Sequence, residues 1–458
     1  MRRVLAITAL TWKAAFRFRL FWVLAGLLLA TVVGLPLLLK DDGTARGFTQ
    51  ILLTYTLSLT TALLGFATLW LACGTLARDI EDCQMQMITV KPISRWQVWL
   101  GKWLGIVLLD AALLSVAGAS VYGLLRWRAQ QLPEKERAIL RNEIFVARGS
   151  LKEPAPELER DTERIFRQRI QETPVPAAEQ KAVRDAIREQ LKAGFQIVPP
   201  DHLRRWTIDL GLRKNYLRDQ PLFLRAKFYA ARTNATGTYL GLWQVGVPQK
   251  TRLWRRALSQ AADTFHEMRV DPNLFDADGK LTVDFVNRND TALLFPLEDG
   301  FELLYREGGF GLNFIRGLGI VLSWLALLAA AGLAASSLLS FPVAAFFSAG
   351  LMVIVFSSGT LATVVEQGSV SGEDHEGGVA QKSPIDLVMV PLFRLILRVT
   401  RLAAEFSPVD SLSTGRSVTW GQLGLAWAQT VLLLGGVCGA IGITIFTRRE
   451  LATAPGAT

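Results

Sequence analysis

Five stretches of this chain carry almost no charge: 20–39, 47–77, 103–125, 317–365 and 417–447, with Asp110 the single ionisable carboxylate among them. A bilayer core requires ~20 consecutive apolar residues of a helix, so each stretch is long enough to cross it. The 317–365 stretch is long enough for two crossings, with a turn expected from Ser336-Ser337 to Pro342, where proline removes a backbone donor and serines hydrogen-bond a tight connection. Six spans result. Half of all residues are hydrophobic, which places the chain among polytopic membrane proteins.

The charged segments between the spans give an orientation. Arg2, Arg3, Lys13, Arg17 and Arg19 precede the first span, Arg78, Lys91, Arg95 and Lys102 lie between the second and third, and Arg448-Arg449 follow the sixth. An even number of spans puts them all on one side, the cytoplasm by the positive-inside bias. Residues 126–312 and 366–416 are then external. Long translocated domains escape the bias, so the net charge of +10 is mostly a topology signal and not a nucleic-acid footprint.

At the N-terminus the apolar run is broken by Lys13, Arg17 and Arg19 and lacks a small-residue cleavage site. Leu5, Ala9, Trp12 and Phe16 line one face, so residues 1–19 are expected to lie on the inner leaflet as an amphipathic helix. Cys73, Cys83 and Cys438 have no metal-ligand spacing, and 126–312 contains no cysteine, so its stability is expected from a core without disulfides.

The 126–312 segment changes character along its length. Residues 134–195 read as helical, with Pro174 and Pro176 near a start, Val183, Ile187, Leu191 and Phe195 at steps of four, and Gly194 near a stop. Beyond Pro221 the period becomes two: Leu224, Ala226 and Phe228 alternate with Arg225, Lys227 and Tyr229, and further strands are expected at 238–247, 265–270, 281–286, 293–297 and 301–305. Asp278-Gly279 and Asp299-Gly300 suit hairpin turns. The expectation is an α+β external domain, a helical insert plus β-sandwich, leading through Gly308-Gly309 into the fourth span. After the fifth span come an acidic loop at 371–378 and an amphipathic helix at 392–406.

The chemistry-bearing motifs are few. No G-x-x-x-x-G-K-[ST] loop is present, so the chain does not hold ATP by that device. His202, His266 and His375 lack metal spacing, and Asp276-Ala277-Asp278-Gly279 lacks the closing glutamate of a calcium loop. Asp110 lies about seven residues, or ~10 Å at the helix rise, into the third span. A carboxylate there must face protein or water, as a polar lining of a path or a bond to a neighbouring span, beside the small residues Ala111, Ser115 and Gly118.

The 78–102 loop carries the most telling order of residues: acidic Asp79, Glu81 and Asp82, then Lys91-Pro92-Ile93-Ser94-Arg95, then Gly101-Lys102. With the amphipathic start, six spans, Phe406-Ser407-Pro408 and Gly415 before the last span and Phe446-Thr447-Arg448-Arg449-Glu450 after it, the chain resembles type-2 ABC exporter permeases, nearest those linked with multicopper-enzyme maturation. The resemblance covers roughly 1–125 and 313–450; the large external insert departs from a simple member. It implies no catalytic residue and no cofactor in this chain, ATP and Mg in a partner ABC ATPase, and a second permease subunit, identical or not. It also implies a coupling helix near Arg78 to Met87 that docks in the ATPase, ended by Pro92, with Trp96, Trp99 and Trp103 anchoring the return in the headgroup zone. Two other readings remain: a polytopic membrane glycosyltransferase using Asp41-Asp42 as acid or metal ligand, and a membrane-anchored sensor with an external ligand-binding domain.

Overall fold

The computed structural model describes residues 2–17, 20–38, 44–82, 84–85, 93–140, 144–172, 176, 179–356, 389–391, 393–394, 396–398 and 406–449. The chain divides into two compact units, Met1–Ala147 with Gly309–Thr458, and Arg148–Gly308. Its longer helices are α1 (Arg2–Arg17), α2 (Leu20–Leu38), α3 (Ala45–Glu81), α4 (Arg95–Ala129), α5 (Leu158–Glu172), α6 (Gln180–Gln196), α7 (Phe310–Leu338), α8 (Phe341–Phe356), the short α9 (Pro408–Ser413) and α10 (Trp420–Arg448).

Four helices, Thr49–Glu81, Arg95–Ala129, Phe310–Leu338 and Trp420–Arg448, are long and apolar enough to cross a membrane. Two apolar stretches, Trp22–Gly34 in α2 and Phe341–Gly350 in α8, fall short of that length. Among the described residues, four such helices stand where the sequence predicts six; residues 39–43 and 357–388, after the two shorter stretches, lie outside the described residues. The long apolar run turns where expected, between Leu338 and Phe341. Its serines act differently: the Ser336 and Ser337 hydroxyls donate to Leu333 O at 3.0 and 2.8 Å, inside α7 and not across the turn.

α1 packs on the start of α4 through Gly101 and Gly105. A Cβ at either would stand 2.7 Å from the Cβ of Ile7 or Thr11, so only glycine lets the two backbones approach this closely. The buried face of α1 is Val4, Ile7, Thr8, Thr11 and Ala15. The face read from the sequence is a different one: Leu5 and Ala9 point outward, and Trp12 and Phe16 are half-buried with ring centroids 5.2 Å apart. α9 ends in a left-handed cap at Gly415, φ 69°, with Gly415 N–H bonded to Leu412 O at 3.3 Å and Arg416 N–H to Ser411 O at 2.7 Å. Buried Asn313 of α7 holds the connection that follows, donating to Arg416 O and accepting from Val418 N–H, both at 2.7 Å.

The second unit contains strands β1 (Val146–Leu151), β2 (Ile197–Val198), β3 (Leu203–Asp209), β4 (Leu222–Ala226), β5 (Tyr229–Ala230), β6 (Thr238–Val245), β7 (Trp254–Ala261), β8 (His266–Val270), β9 (Lys280–Asn287), β10 (Leu293–Leu294) and β11 (Phe301–Gly309). They form sheets ordered β1-β11-β4-β8, β2-β10-β5 and β3-β9-β6-β7. The two four-stranded sheets face each other across an aromatic core: Trp206 stacks on Phe301 at 4.4 Å, Trp243 packs on Phe285 at 4.7 Å, and Phe295 meets Trp206 at 5.3 Å. α5 and α6 pair antiparallel through Arg184–Glu163 at 2.7 Å and Arg188–Glu159 at 3.0 Å, with Ile187 buried between.

Three sequence expectations fail in this unit. Residues 134–195 are not wholly helical, since β1 interrupts them. The Asp-Gly turns at 278–279 and 299–300 do not close hairpins, because β8 pairs with β4, β9 with β3 and β6, and β10 with β2 and β5. The 278–279 turn instead wraps on Asp276, whose Oδ1 accepts Lys280 N–H at 2.8 Å, with Gly279 at φ 82°. Nor does Arg225 face water: β4 is buried throughout, and Arg225 bonds Glu302 at 3.1 Å while Arg148 bonds Glu267 at 2.9 Å. Each buried charge is thus matched, which avoids the large cost of an isolated one.

Candidate functional site

Every helix end leaves backbone groups without an intrahelical partner, and in the first unit several such ends satisfy one another. Arg95, the first residue of α4, directs Nη1 to Phe446 O, Thr447 O and Arg449 O, each at 2.8 Å, around the close of α10. Arg449 in turn donates to Ser337 O in the last turn of α7 at 3.0 Å. Glu81, the last residue of α3, accepts from Phe341 N–H at the start of α8 at 2.9 Å. Arg95 and Arg449 set cations at the C-termini they cap, and Glu81 sets a carboxylate at the N-terminus it caps, each matching the dipole of the capped helix. Five helix ends are thereby tied at one end of the bundle.

Beneath this ring, Lys102 Nζ of α4 contacts Asp79 Oδ2 at 2.5 Å and donates to Thr75 O at 2.8 Å, both on α3. Lys102 is 7% exposed, so its charge requires this partner. Trp99 is buried against α10, where Gly439 and Gly442 leave room: a Cβ at Gly442 would stand 2.9 Å from the indole nitrogen. Ile93 packs on the cluster that contains Leu76, Met85 and Trp99.

These contacts separate the residues singled out from the sequence. Asp79 and Arg95 are engaged inside the chain, and Glu81 caps α8 while remaining exposed. Asp82 is exposed at the end of α3, its N–H bonded to Arg78 O at 2.7 Å. Ser94 is exposed and begins α4, its N–H donating to Gln97 Oε1 at 3.3 Å. Lys91, Pro92 and Cys83 lie outside the described residues, as do Asp41, Asp42, His375, the 371–378 loop and much of the 392–406 segment. Of the three tryptophans expected as headgroup anchors only Trp96 is exposed; Trp99 is buried, and Trp103 donates to Ala326 O at 2.9 Å.

Asp110 sits deeper in the same α3–α4 interface. It is 2% exposed, and its Oδ1 lies 2.9 Å from Thr68 Oγ1, which also bonds Leu64 O at 2.7 Å. Of its small neighbours, Gly118 meets Leu318 of α7, whereas Ser115 is exposed. Thr68 and Gly105 escape a reading for function in the sequence, and Gly101, Lys102 and Arg449 enter it only as pieces of the family motifs, without their structural partners. The recoverable signals are a lysine at the edge of an apolar run and two glycines four residues apart.

The arrangement presents two exposed acids, Glu81 and Asp82, at a helix end tied to its neighbours. Among the described residues no three His, Cys, Asp or Glu side chains come together as a metal site. Comparisons with protein-family models, curated proteins and solved structures find no match.

Proposed function

We propose that this chain is the permease subunit of an ATP-driven ABC exporter, coupling a separate cytoplasmic ATPase to movement of a substrate across or out of the membrane. The observation that carries the reading is the tied helix end. A push on the segment joining α3 to α4 acts on Glu81 and Asp82, and the bonds of Arg95, Arg449 and Glu81 pass it to α7, α8 and α10 together. Such a segment works as a lever only when its helices move as a set. Asp79 and Arg95 then stiffen the lever, while Glu81, Asp82, Ile93 and Ser94, with Lys91 and Pro92, meet the partner.

In this reading the chain has six spans in the inner (plasma) membrane, both termini in the cytoplasm, and the β-rich unit outside. ATP and Mg belong to the ATPase, and a second permease, identical or different, completes the path. Asp110 serves as an interhelical bond between α3 and α4. The test is recovery of the full chain from intact membranes and mass spectrometry of what accompanies it. An ABC ATPase is expected; a kinase in its place points to a sensor, and the lack of any nucleotide-binding companion refutes the assignment.

A further inference from the structure

The loop between β3 and β4 combines two features that a water-facing loop has no reason to combine. Leu212 is 100% exposed and Tyr216 is 52% exposed. Around them stand Arg213, Lys214 and Arg218, with no acid from Leu210 to Arg218. The loop is built and not slack: Leu210 and Leu217 are buried at its two ends, Gly211 takes φ 55°, its N–H donating to Asp209 Oδ1 at 2.8 Å, and Lys214 Nζ donates to Ala277 O at 3.0 Å. The flanking acids are turned to other work, Asp209 on that N–H and Asp219 on the Asn273 amide at 3.3 Å. The scaffold therefore holds an apolar tip outward inside a collar of cations.

Sheet register says at which end of the unit this tip lies. β11 runs antiparallel to β4, with Leu304 opposite Phe223, so beyond Leu304 it continues past the start of β4, where the loop ends. The Arg213 guanidinium sits 5.7 Å from the Tyr305 ring. β1 enters alongside: a Cβ at Gly149 would touch the Tyr305 ring, and Ser150 donates to Glu302 at 2.7 Å. Both chain connections, at Arg148 and Gly308, thus leave from the end that carries the loop, and after Gly309 the chain enters the membrane-length helix Phe310–Leu338. The turn at 234–237 lies at the opposite end, since β3 and β6 both run antiparallel to β9 and β6 begins beside the start of β3, with Gly241 opposite Asn287 and Leu203 opposite Val286.

We propose that the Gly211-to-Arg218 loop is a membrane-docking element, with Leu212 and Tyr216 entering the acyl boundary and Arg213, Lys214 and Arg218 pairing with anionic lipid headgroups. An apolar tip in a basic collar fits that surface, where Leu sits ~5–10 Å deep and cations meet phosphate. The inference needs only that the chain is in a membrane and does not rest on the transport reading.

The test uses the full chain, its native cysteines replaced by alanine, in nanodiscs of phosphatidylcholine with or without phosphatidylglycerol. Leu212→Cys and, as the far-end control, Thr236→Cys each carry an environment-sensitive nitrobenzoxadiazole label, read with and without doxyl-labelled lipid. The label at 212 is expected to shift to the blue and lose most of its emission to the doxyl lipid, with no loss at 236. Removing phosphatidylglycerol, or combining Arg213→Gln, Lys214→Gln and Arg218→Gln, is expected to reverse most of that loss. Equal, weak quenching at 212 and 236 overturns the proposal. A blue shift at 212 without lipid quenching assigns the tip to a protein surface instead, and quenching indifferent to lipid charge overturns the headgroup assignment.

Discussion

Arg95→Met is the sharpest probe of the tied helix end, since methionine keeps most of the stem and deletes only the guanidinium. Nη1 has two protons to share among Phe446 O, Thr447 O and Arg449 O. The three contacts therefore amount to about two hydrogen bonds from a charged group, each contributing roughly 1.5–3 kcal/mol where water is excluded. Arg95 is half-buried, and water reaching the freed carbonyls offsets part of this, leaving a loss of about 2–3 kcal/mol. For a unit of this size that lowers the thermal midpoint by about 4–6 °C, near 2 °C per kcal/mol. Tryptophan fluorescence during heating in nanodiscs reads it, with Arg160→Met, whose side chain is 82% exposed, as a control expected within about ±0.5 kcal/mol. Arg95→Met should also speed amide exchange in the last turn of α10. If both variants unfold together and exchange there is unchanged, the cap does not hold the bundle, and the lever argument falls with it.

Gly105→Val would drive its side chain into Thr11, 2.7 Å from the new Cβ, and is expected to cost about 1–3 kcal/mol by overpacking; disulfide trapping between α1 and α4 should weaken in parallel. Residues 148–308 expressed alone should be soluble and show mixed helix and strand by circular dichroism, unaffected by reductant because the segment has no cysteine. In that fragment the backbone N–H of Lys280, with Lys250 and Asp278 N–H assisting, holds the Asp276 carboxyl below its ordinary 3.8. A lowered folded pKa contributes stability above the ordinary value and loses it as pH falls below, so urea midpoints should drop between about pH 5 and pH 3, less so in Asp276→Asn.

Long-period features were legible in the sequence, and features that join distant residues were not. The apolar runs gave the four long helices and the turn at 339–340, because hydrophobic length is a local property. Period-two alternation found β6, β8 and β9 and the passage of β11 into α7. β3 (LRRWTID) and β7 (WRRALSQA) were missed because adjacent arginines disguise the alternation, and β1 because Arg148, paired inward with Glu267, reads as a surface charge. At the candidate site the acidic cluster and the start of α4 were visible, yet the partner of Arg95 lies 351 residues away at Phe446. No spacing rule reports such a contact. The same holds for Glu81 on Phe341 and Arg449 on Ser337, which turn a loop motif into part of a structural ring.

If the exposed acids at the α3 end receive a partner ATPase, Asp82→Lys is the variant to make, because Asp82 is exposed and its N–H bonds Arg78 O within α3. Its reversal should cost no more than about 0.5 kcal/mol of folding stability. At a docking surface the same change is expected to remove about 2 kcal/mol or more of binding, roughly a thirtyfold weakening. The measurement is ATPase copurification and ATP turnover with the full chain in nanodiscs, beside Asp41→Asn as a control outside the segment. Asp82→Lys is expected to lose the partner and its stimulated turnover while remaining folded and inserted, with Asp41→Asn unchanged. Full binding and turnover by Asp82→Lys, or loss confined to Asp41→Asn, would contradict the docking assignment.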